Sequence, residues 1–278
     1  MDNMKQLNTR GLVLIGCGFI GQALLEGWLV AGLSPEAVTI QDPTPSDWLS
    51  SQSGIRLNTS LPEKPAVVVI ATKPQTLDAL LPDLAQFSGG DTVVVSIAAG
   101  APIGLFEQHL GTQTPIIRAM PNLPASVGLG ATAMFANTAS TPSDVELAKS
   151  LFDAVGLSVQ LPQEDLLHVV TGLSGSGPAY VFAMAEAMTA AAADLGLPMD
   201  LAKTLALQTV AGAGKMLAAP GADASTLRDA VTSKGGTTAA GLDQMIGSDA
   251  LTDLMSNTIN AAQCRSQELA AANTTKLR

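Results

Sequence analysis

Aromatic side chains are nearly missing from this chain: they make up 3% of its 278 residues, with two Trp and one Tyr. A core must therefore be built from Ala, Val, Leu, Ile and Met, a palette that suits parallel sheets and closely approaching helices. Cysteine is as scarce. Cys17 and Cys264 lie too far apart in sequence for metal-ligand spacing and offer no disulfide framework, which fits a reducing compartment. Positive charge is also short. Fourteen Lys and Arg face 24 Asp and Glu, for a net charge of -10, and the basic residues are scattered. A nucleic-acid binder needs a concentrated basic face, so that class is excluded. Long apolar runs are lacking too. The most apolar stretch, 181–193, is broken by Glu186 and is too short to span a bilayer. The opening MDNMKQLNTR has no apolar signal-peptide core. These absences predict a cytoplasmic protein with neither membrane nor nucleic acid as a partner. His109 and His168, the two histidines, read as surface or internally satisfied side chains.

What is present is 47% hydrophobic sequence in two styles, enough for two ordinary domains. Apolar β-branched runs at 12–15, 38–41, 67–71, 93–97 and 116–118 alternate with helical stretches, the first helix over about 18–32. Strands apolar throughout are buried on both faces, which predicts a parallel sheet covered by helices. Runs at 131–135 and 157–160 are candidate further strands at the sheet edge. From Asp165 onward no strand is expected. Ala- and Leu-rich helices follow, broken at 196–198, 220–221 and 235–236, the last running over about 250–271. The fold class is thus α/β: a doubly wound sheet in 1–163, then an all-α domain in 164–278. So apolar a helical domain is expected to pair with a second copy.

Directly after the first strand comes Gly16-Cys17-Gly18-Phe19-Ile20-Gly21. This is G-x-G-x-x-G between a strand and a helix, the setting in which it binds a dinucleotide. The first glycine permits a tight turn, the second lets a pyrophosphate reach the backbone, and the third packs helix on strand. The phosphates would meet free N–H groups at the helix start. The plainer alternative is glycines serving only a turn. Cys17 reads as a small filler rather than a redox centre. Asp42, at the end of the second strand in VTIQDP, is the residue type that accepts hydrogen bonds from ribose hydroxyls and repels a 2′-phosphate. It favours NADH over NADPH, unless it is merely a solvated turn residue beside Pro43.

Other segments exceed what the fold requires. ATKPQ, SIAAG and RAMPNLP end the third, fourth and fifth strands, where ligands of such sheets gather; Met120, Pro121 and Asn122 are expected to line the nicotinamide region. TGLSGSGPAY and VTSKGGTT open helices in the second half. Taken in this order and spacing, the set resembles the pyrroline-5-carboxylate reductases, across essentially the whole chain beyond the first ten residues. The resemblance implies a Rossmann-type domain followed by a helical dimerisation domain that interlocks with a second subunit, forming a homodimer or larger homo-oligomer. It implies NAD(P)H-dependent reduction of 1-pyrroline-5-carboxylate to L-proline, the last step of proline biosynthesis. It implies substrate contacts by Ser233 and Thr238, the Thr238 hydroxyl near the ring nitrogen. It also assigns Ala71, Thr72, Lys73 and Asn58 to the dinucleotide pocket, Asn58 near the adenosine ribose.

Independently of the resemblance, successive amides at Gly235, Gly236 and Thr237 leading into a helix suit a carboxylate. Thr237 or Thr238 as a plain helix N-cap is the alternative. Ser174 and Ser176 read as packing and capping residues, Tyr180 as core, and Lys73 equally as an exposed strand-end lysine. One departure from the family pattern stands out: Lys234 occupies the position where SPGGTT would place proline. Rival readings are a β-hydroxyacid dehydrogenase, a reductase of another small cyclic imine carboxylate, and a non-catalytic dinucleotide-sensing dimer. The first needs a lysine on the interdomain helix, and GLSGSGPAYVFAMAEAM has none.

Overall fold

A computed structural model describes residues 3–275; the outermost residues of the two expected domains, 1–2 and 276–278, lie outside it. Valine and isoleucine runs form the central strands, because β-branched side chains pack well on a pleated surface buried from both sides. In chain order the elements are α1 (Asn3–Arg10), β1 (Leu12–Ile15), α2 (Phe19–Val30), β2 (Val38–Gln41), α3 (Asp47–Ser50), β3 (Arg56–Leu57), β4 (Val67–Ile70), α4 (Leu77–Leu80), β5 (Val93–Ser96) and α5 (Ile103–Leu110). There follow β6 (Ile116–Met120), β7 (Gly130–Ala136), α6 (Pro142–Asp153), β8 (Gly156–Gln160) and α7 (Leu166–Val170), then α8 (Gly177–Asp194), α9 (Met199–Leu217), α10 (Ala224–Ala230), α11 (Thr237–Ile246) and α12 (Ala250–Thr275).

The strands form one eight-stranded sheet in the order β3-β2-β1-β4-β5-β6-β7-β8. All pairs are parallel except β6–β7, where Arg118 faces Phe135, and β8 returns parallel to β7. Alternate residues of each strand serve opposite layers. Leu12, Leu14, Val67 and Val69 pack with Leu24, Trp28 and Phe152 on one face. Val13, Val68, Ile70 and Val94 pack with Leu81, Phe87 and Phe106 on the other. Trp28, buried, donates its indole N–H to Leu151 O at 2.8 Å, which satisfies its one polar atom.

The chain divides into two compact units, one of residues up to Ser176 together with those from Ala261 onward, the other Gly177–Asn260. The first holds the sheet. The second is helical, α8 packed on α9, and its large side chains are mostly exposed: Leu195 is 90% exposed, Met199 57% and Leu205 58%.

Several expectations need correction. The N-terminal stretch, for which no secondary structure is read from the sequence, contains a helix, α1, with Leu7 buried. Strand β3 was not expected; its two residues carry no periodicity. Strand β7, one in from the edge strand β8, runs antiparallel to β6, a direction that residue type does not encode. Asp42 lies one residue beyond β2 rather than at its end.

Candidate active site

The C-terminal ends of the parallel strands bring one group of the expected residues together. Gly16 follows β1 with φ +85°, and a Cβ there would lie 2.9 Å from Ala71 O and from the Thr72 methyl. A Cβ on Gly21 would meet Gly16 O at 2.8 Å. Glycine is thus required at both positions by close approach, and at the first by the left-handed backbone as well. At Gly18 the same construction meets nothing within 4 Å, so the middle of the turn opens outward. Phe19, which starts α2, is 92% exposed. No side chain caps this helix, which leaves its first amides available to an anion.

Asp42 is buried against the turn, not solvated. Its Oδ2 accepts from Cys17 N–H at 2.6 Å and its Oδ1 from Thr44 N–H at 2.8 Å. Asn58, at φ 52°, holds the Asp42 main chain from both sides. Its Oδ1 accepts from Asp42 N–H at 2.9 Å, and its Nδ2 donates to Asp42 O at 2.8 Å. Burial first, then the charges of Asp42 and Glu26, push the Cys17 thiol up to about 12. It stays protonated at neutral pH and is no nucleophile. Among the described residues Thr72 Oγ1 is buried without a hydrogen-bond partner, and Lys73 is exposed. An outward-opening glycine turn, uncapped amides and an orphaned hydroxyl fit a dinucleotide pyrophosphate.

Farther along the sheet, Met120, Pro121 and Asn122 are all buried. Asn122 uses both ends of its amide inside the protein: Oδ1 accepts from Ala131 N–H at 2.8 Å, and Nδ2 donates to Ser174 O at 3.0 Å. Ser174 lies in a π-helical turn, Thr171–Gly175. A Cβ on Gly175 would touch the Met120 side chain at 3.6 Å. The TGLSG run therefore forms a wide turn, a feature often found at functional sites, seated on the end of β6. His109 Nδ1 lies 3.1 Å from Leu105 O. His168 is buried, its Nδ1 2.9 Å from Ser266 Oγ, and burial, then the charge of Arg118, hold its pKa below the ordinary histidine value.

The second group lies in the helical unit. Ser233 O accepts from Gly236 N–H at 3.0 Å, and Gly235 has φ +71°. A hydrogen bond reaching back three residues, with the third residue of the four left-handed, is a type II turn, whose second position is Lys234. Gly236 is the N-cap of α11 and no side chain caps the helix. Thr237 and Thr238 are its first two residues, so neither is the N-cap. Ser233 Oγ sits over Gly236, 2.4 Å from where a Cβ would be. The turn presents amides and three hydroxyls without a competing cap. Sequence reading missed Glu164, which accepts from both Ile103 N–H and Arg118 Nη1; its partners lie 61 and 46 residues away, beyond any local signal.

Among the described residues no group of three His, Cys, Asp or Glu is placed to hold a metal ion, and no helix is long and apolar enough to cross a membrane.

Comparison with known proteins adds an independent line. Residues 164–269 match the family model for pyrroline-5-carboxylate reductase dimerisation. Residues 11–100 match one described as NADP oxidoreductase coenzyme F420-dependent. The chain is 38% identical over 276 residues to the pyrroline-5-carboxylate reductase of Methanosarcina acetivorans, covering 97% of this chain and 99% of that one. It is 36% identical to that of Pseudomonas aeruginosa, covering 95% and 98%. Among solved structures, a pyrroline-5-carboxylate reductase from Coxiella burnetii superposes with TM-score 0.87 at 34% identity, covering 95% and 99%. A Plasmodium falciparum pyrroline carboxylate reductase with NADP bound gives TM-score 0.81 at 26% identity, with the same coverage.

Proposed function

The chain belongs to the pyrroline-5-carboxylate reductase family, and on that premise we propose how its residues divide the work. The enzyme reduces 1-pyrroline-5-carboxylate to L-proline with a nicotinamide dinucleotide. The observation that carries the division of labour is the pairing, in one chain, of an outward-opening glycine turn with an uncapped, hydroxyl-rich turn at α11. Gly16, Cys17, Gly18, Phe19, Ile20 and Gly21 hold the pyrophosphate, with Thr72 Oγ1 and Lys73 beside it. Asp42 and Asn58 face the adenosine ribose. Ala71, Met120, Pro121 and Asn122 border the nicotinamide. The bound reduced nicotinamide supplies the hydride.

Ser233, Gly235, Gly236 and Thr237 take the substrate carboxylate on amides and hydroxyls, and the Thr238 hydroxyl holds the ring nitrogen. A protonated cyclic imine is already electrophilic, so the protein need not supply a strong acid. Positioning carries the acceleration and can contribute roughly 7 to 11 kcal/mol. The buried carboxylate of Asp42, in a segment with no arginine from 12 to 55, supports NADH as the working cofactor. The exposed apolar surface of the helical unit supports a homodimer, residues 164–278 supplying the association surface and 1–163 the dinucleotide site. Scarce, widely separated cysteines support a cytoplasmic location.

Steady-state assays with pyrroline-5-carboxylate, its six-membered homologue, NADH and NADPH test this reading. Turnover of the five-membered imine is the expected outcome. Dinucleotide binding without turnover would instead mark a sensing dimer, and preference for the larger ring would mark Lys234 as having shifted the substrate class.

A further inference from the structure

Arg118 sits midway along β6, and its side chain is 2% exposed. Among the described residues its Nη1 donates to Glu164 Oε1 at 2.9 Å, while Nε and Nη2 are buried without partners. The same Oε1 accepts from Ile103 N–H at 2.9 Å. Ile103 is the first residue of α5, and its N-cap is Pro102, which has no side-chain acceptor. Glu164 supplies that missing cap from a distance and places negative charge where a helix start favours it.

Glu164 also leads into α7, since its carbonyl accepts from Leu167 N–H at 2.9 Å. Ten residues on, the π turn that continues α7 is held by Asn122 through Ser174 O. Ten helical residues rise about 15 Å, and four strand residues span about 13 Å. The segment from 164 to 174 is therefore gripped at one end by Arg118 on β6 and at the other by Asn122, two residues beyond that strand. Through Ile103 the first grip also anchors the loop that follows β5, whose Gly100 carbonyl accepts from Asn273 Nδ2 at 2.9 Å.

We propose that Glu164 is a positioning residue for hydride transfer: one carboxylate oxygen locks the loop after β5, the strand β6 and the start of α7 together, and so fixes the walls that orient the nicotinamide ring. This rests on the reading that the ring lies at the carboxyl ends of β5 and β6. Glu164 touches no reacting atom in this scheme, and the pyrophosphate turn after β1 is held by other contacts. Its loss should therefore disturb ring orientation far more than dinucleotide affinity.

The test uses the full chain and two variants, Glu164→Gln and the double substitution Arg118→Leu with Glu164→Leu. The first keeps the shape but leaves a buried cation without its counter-charge. The second removes both charges, which buried ion pairs tolerate far better than removal of one partner. For each, kcat is measured with protiated and C4-deuterated dinucleotide, beside the dinucleotide Kd and the thermal midpoint. The expected result is a fall in kcat of at least about tenfold in both variants. The deuterium isotope effect on kcat should rise and Kd should move less than about threefold, with the midpoint of the double variant falling by no more than the stranded Ile103 N–H accounts for.

A purely structural role would lower the midpoint of Glu164→Gln and leave the isotope effect unchanged, because unfolded enzyme contributes no turnover. Wild-type kcat and isotope effect in the double variant would overturn the proposal. If that variant does not fold, an unchanged isotope effect in Glu164→Gln would overturn it equally. A wild-type chain that does not turn over pyrroline-5-carboxylate would overturn the reading of the reaction itself, and this proposal with it.

Discussion

Replacing Asp42 by Asn removes one negative charge from beside the glycine turn and changes little else in shape. Unit charges about 6 Å apart repel by about 2.8 kcal/mol at an effective dielectric of about 20, and by about half that if solvent doubles the screening. Asp42 is 8% exposed, so the smaller figure is a lower bound for a 2′-phosphate placed over it. Asp42→Asn should then raise the ratio of kcat/KM for NADPH to that for NADH by between about tenfold and a hundredfold. The substitution also has a structural effect. Asp42 accepts from two backbone amides, Cys17 N–H and Thr44 N–H, and an Asn oxygen can serve one of them. The stranded donor costs about 1–3 kcal/mol, which for a chain of this size lowers the midpoint by about 2–4 °C per kcal/mol. Steady-state kinetics with both cofactors and a thermal melt read the two effects separately. A lowered midpoint with a cofactor ratio that moves less than about twofold would show that Asp42 braces the turn but does not discriminate the ribose.

Three further outcomes are expected. Thr238→Ala should lower kcat/KM for the imine by at least about tenfold, about 1.4 kcal/mol, and wild-type kinetics would remove Thr238 from the site. Lys234→Pro should stabilise the chain by about 0.4–1 kcal/mol in denaturant unfolding, because proline suits the second position of a type II turn and the turn's bond runs from Gly236 N–H to Ser233 O; a loss of stability would refute that turn assignment. His168 is held below the ordinary value of 6.5 by burial and then Arg118. The unfolded chain therefore takes up its proton first, and stability contributed by the neutral ring is present above about pH 6.5 and is lost as pH falls below it. The thermal midpoint should drop between pH 7 and pH 5.5, less steeply in His168→Gln; parallel slopes would contradict this.

The parallel strands could be read from sequence because burial on both faces demands apolar residues throughout, and 12–15 and 38–41 were legible to the residue. The helix breaks at 196–198, 220–221 and 235–236 were legible because Gly and Pro end helices directly. What could not be read depends on tertiary partners. Helix α1 has the composition of a polar tail and is fixed by one buried leucine. The direction of β7 follows from the 121–129 connection, which turns the chain back so that β7 itself runs along β6, not from its residues. The glycine turn announced itself, since Gly16 and Gly21 answer local steric demands and Gly18 leaves the turn open. That Asp42 would turn inward onto Cys17 N–H, or that Glu164 would serve Ile103 and Arg118 with one oxygen, requires distant segments to meet first.

The most direct test of the central claim follows the transferred atom. Full-length enzyme is incubated with 1-pyrroline-5-carboxylate and nicotinamide dinucleotide deuterated at C4 on the transferred face, and the product is analysed by mass spectrometry and NMR. The account predicts L-proline carrying one deuterium on the carbon that had been the imine carbon. Unlabelled proline, or no proline with either NADH or NADPH, would contradict it.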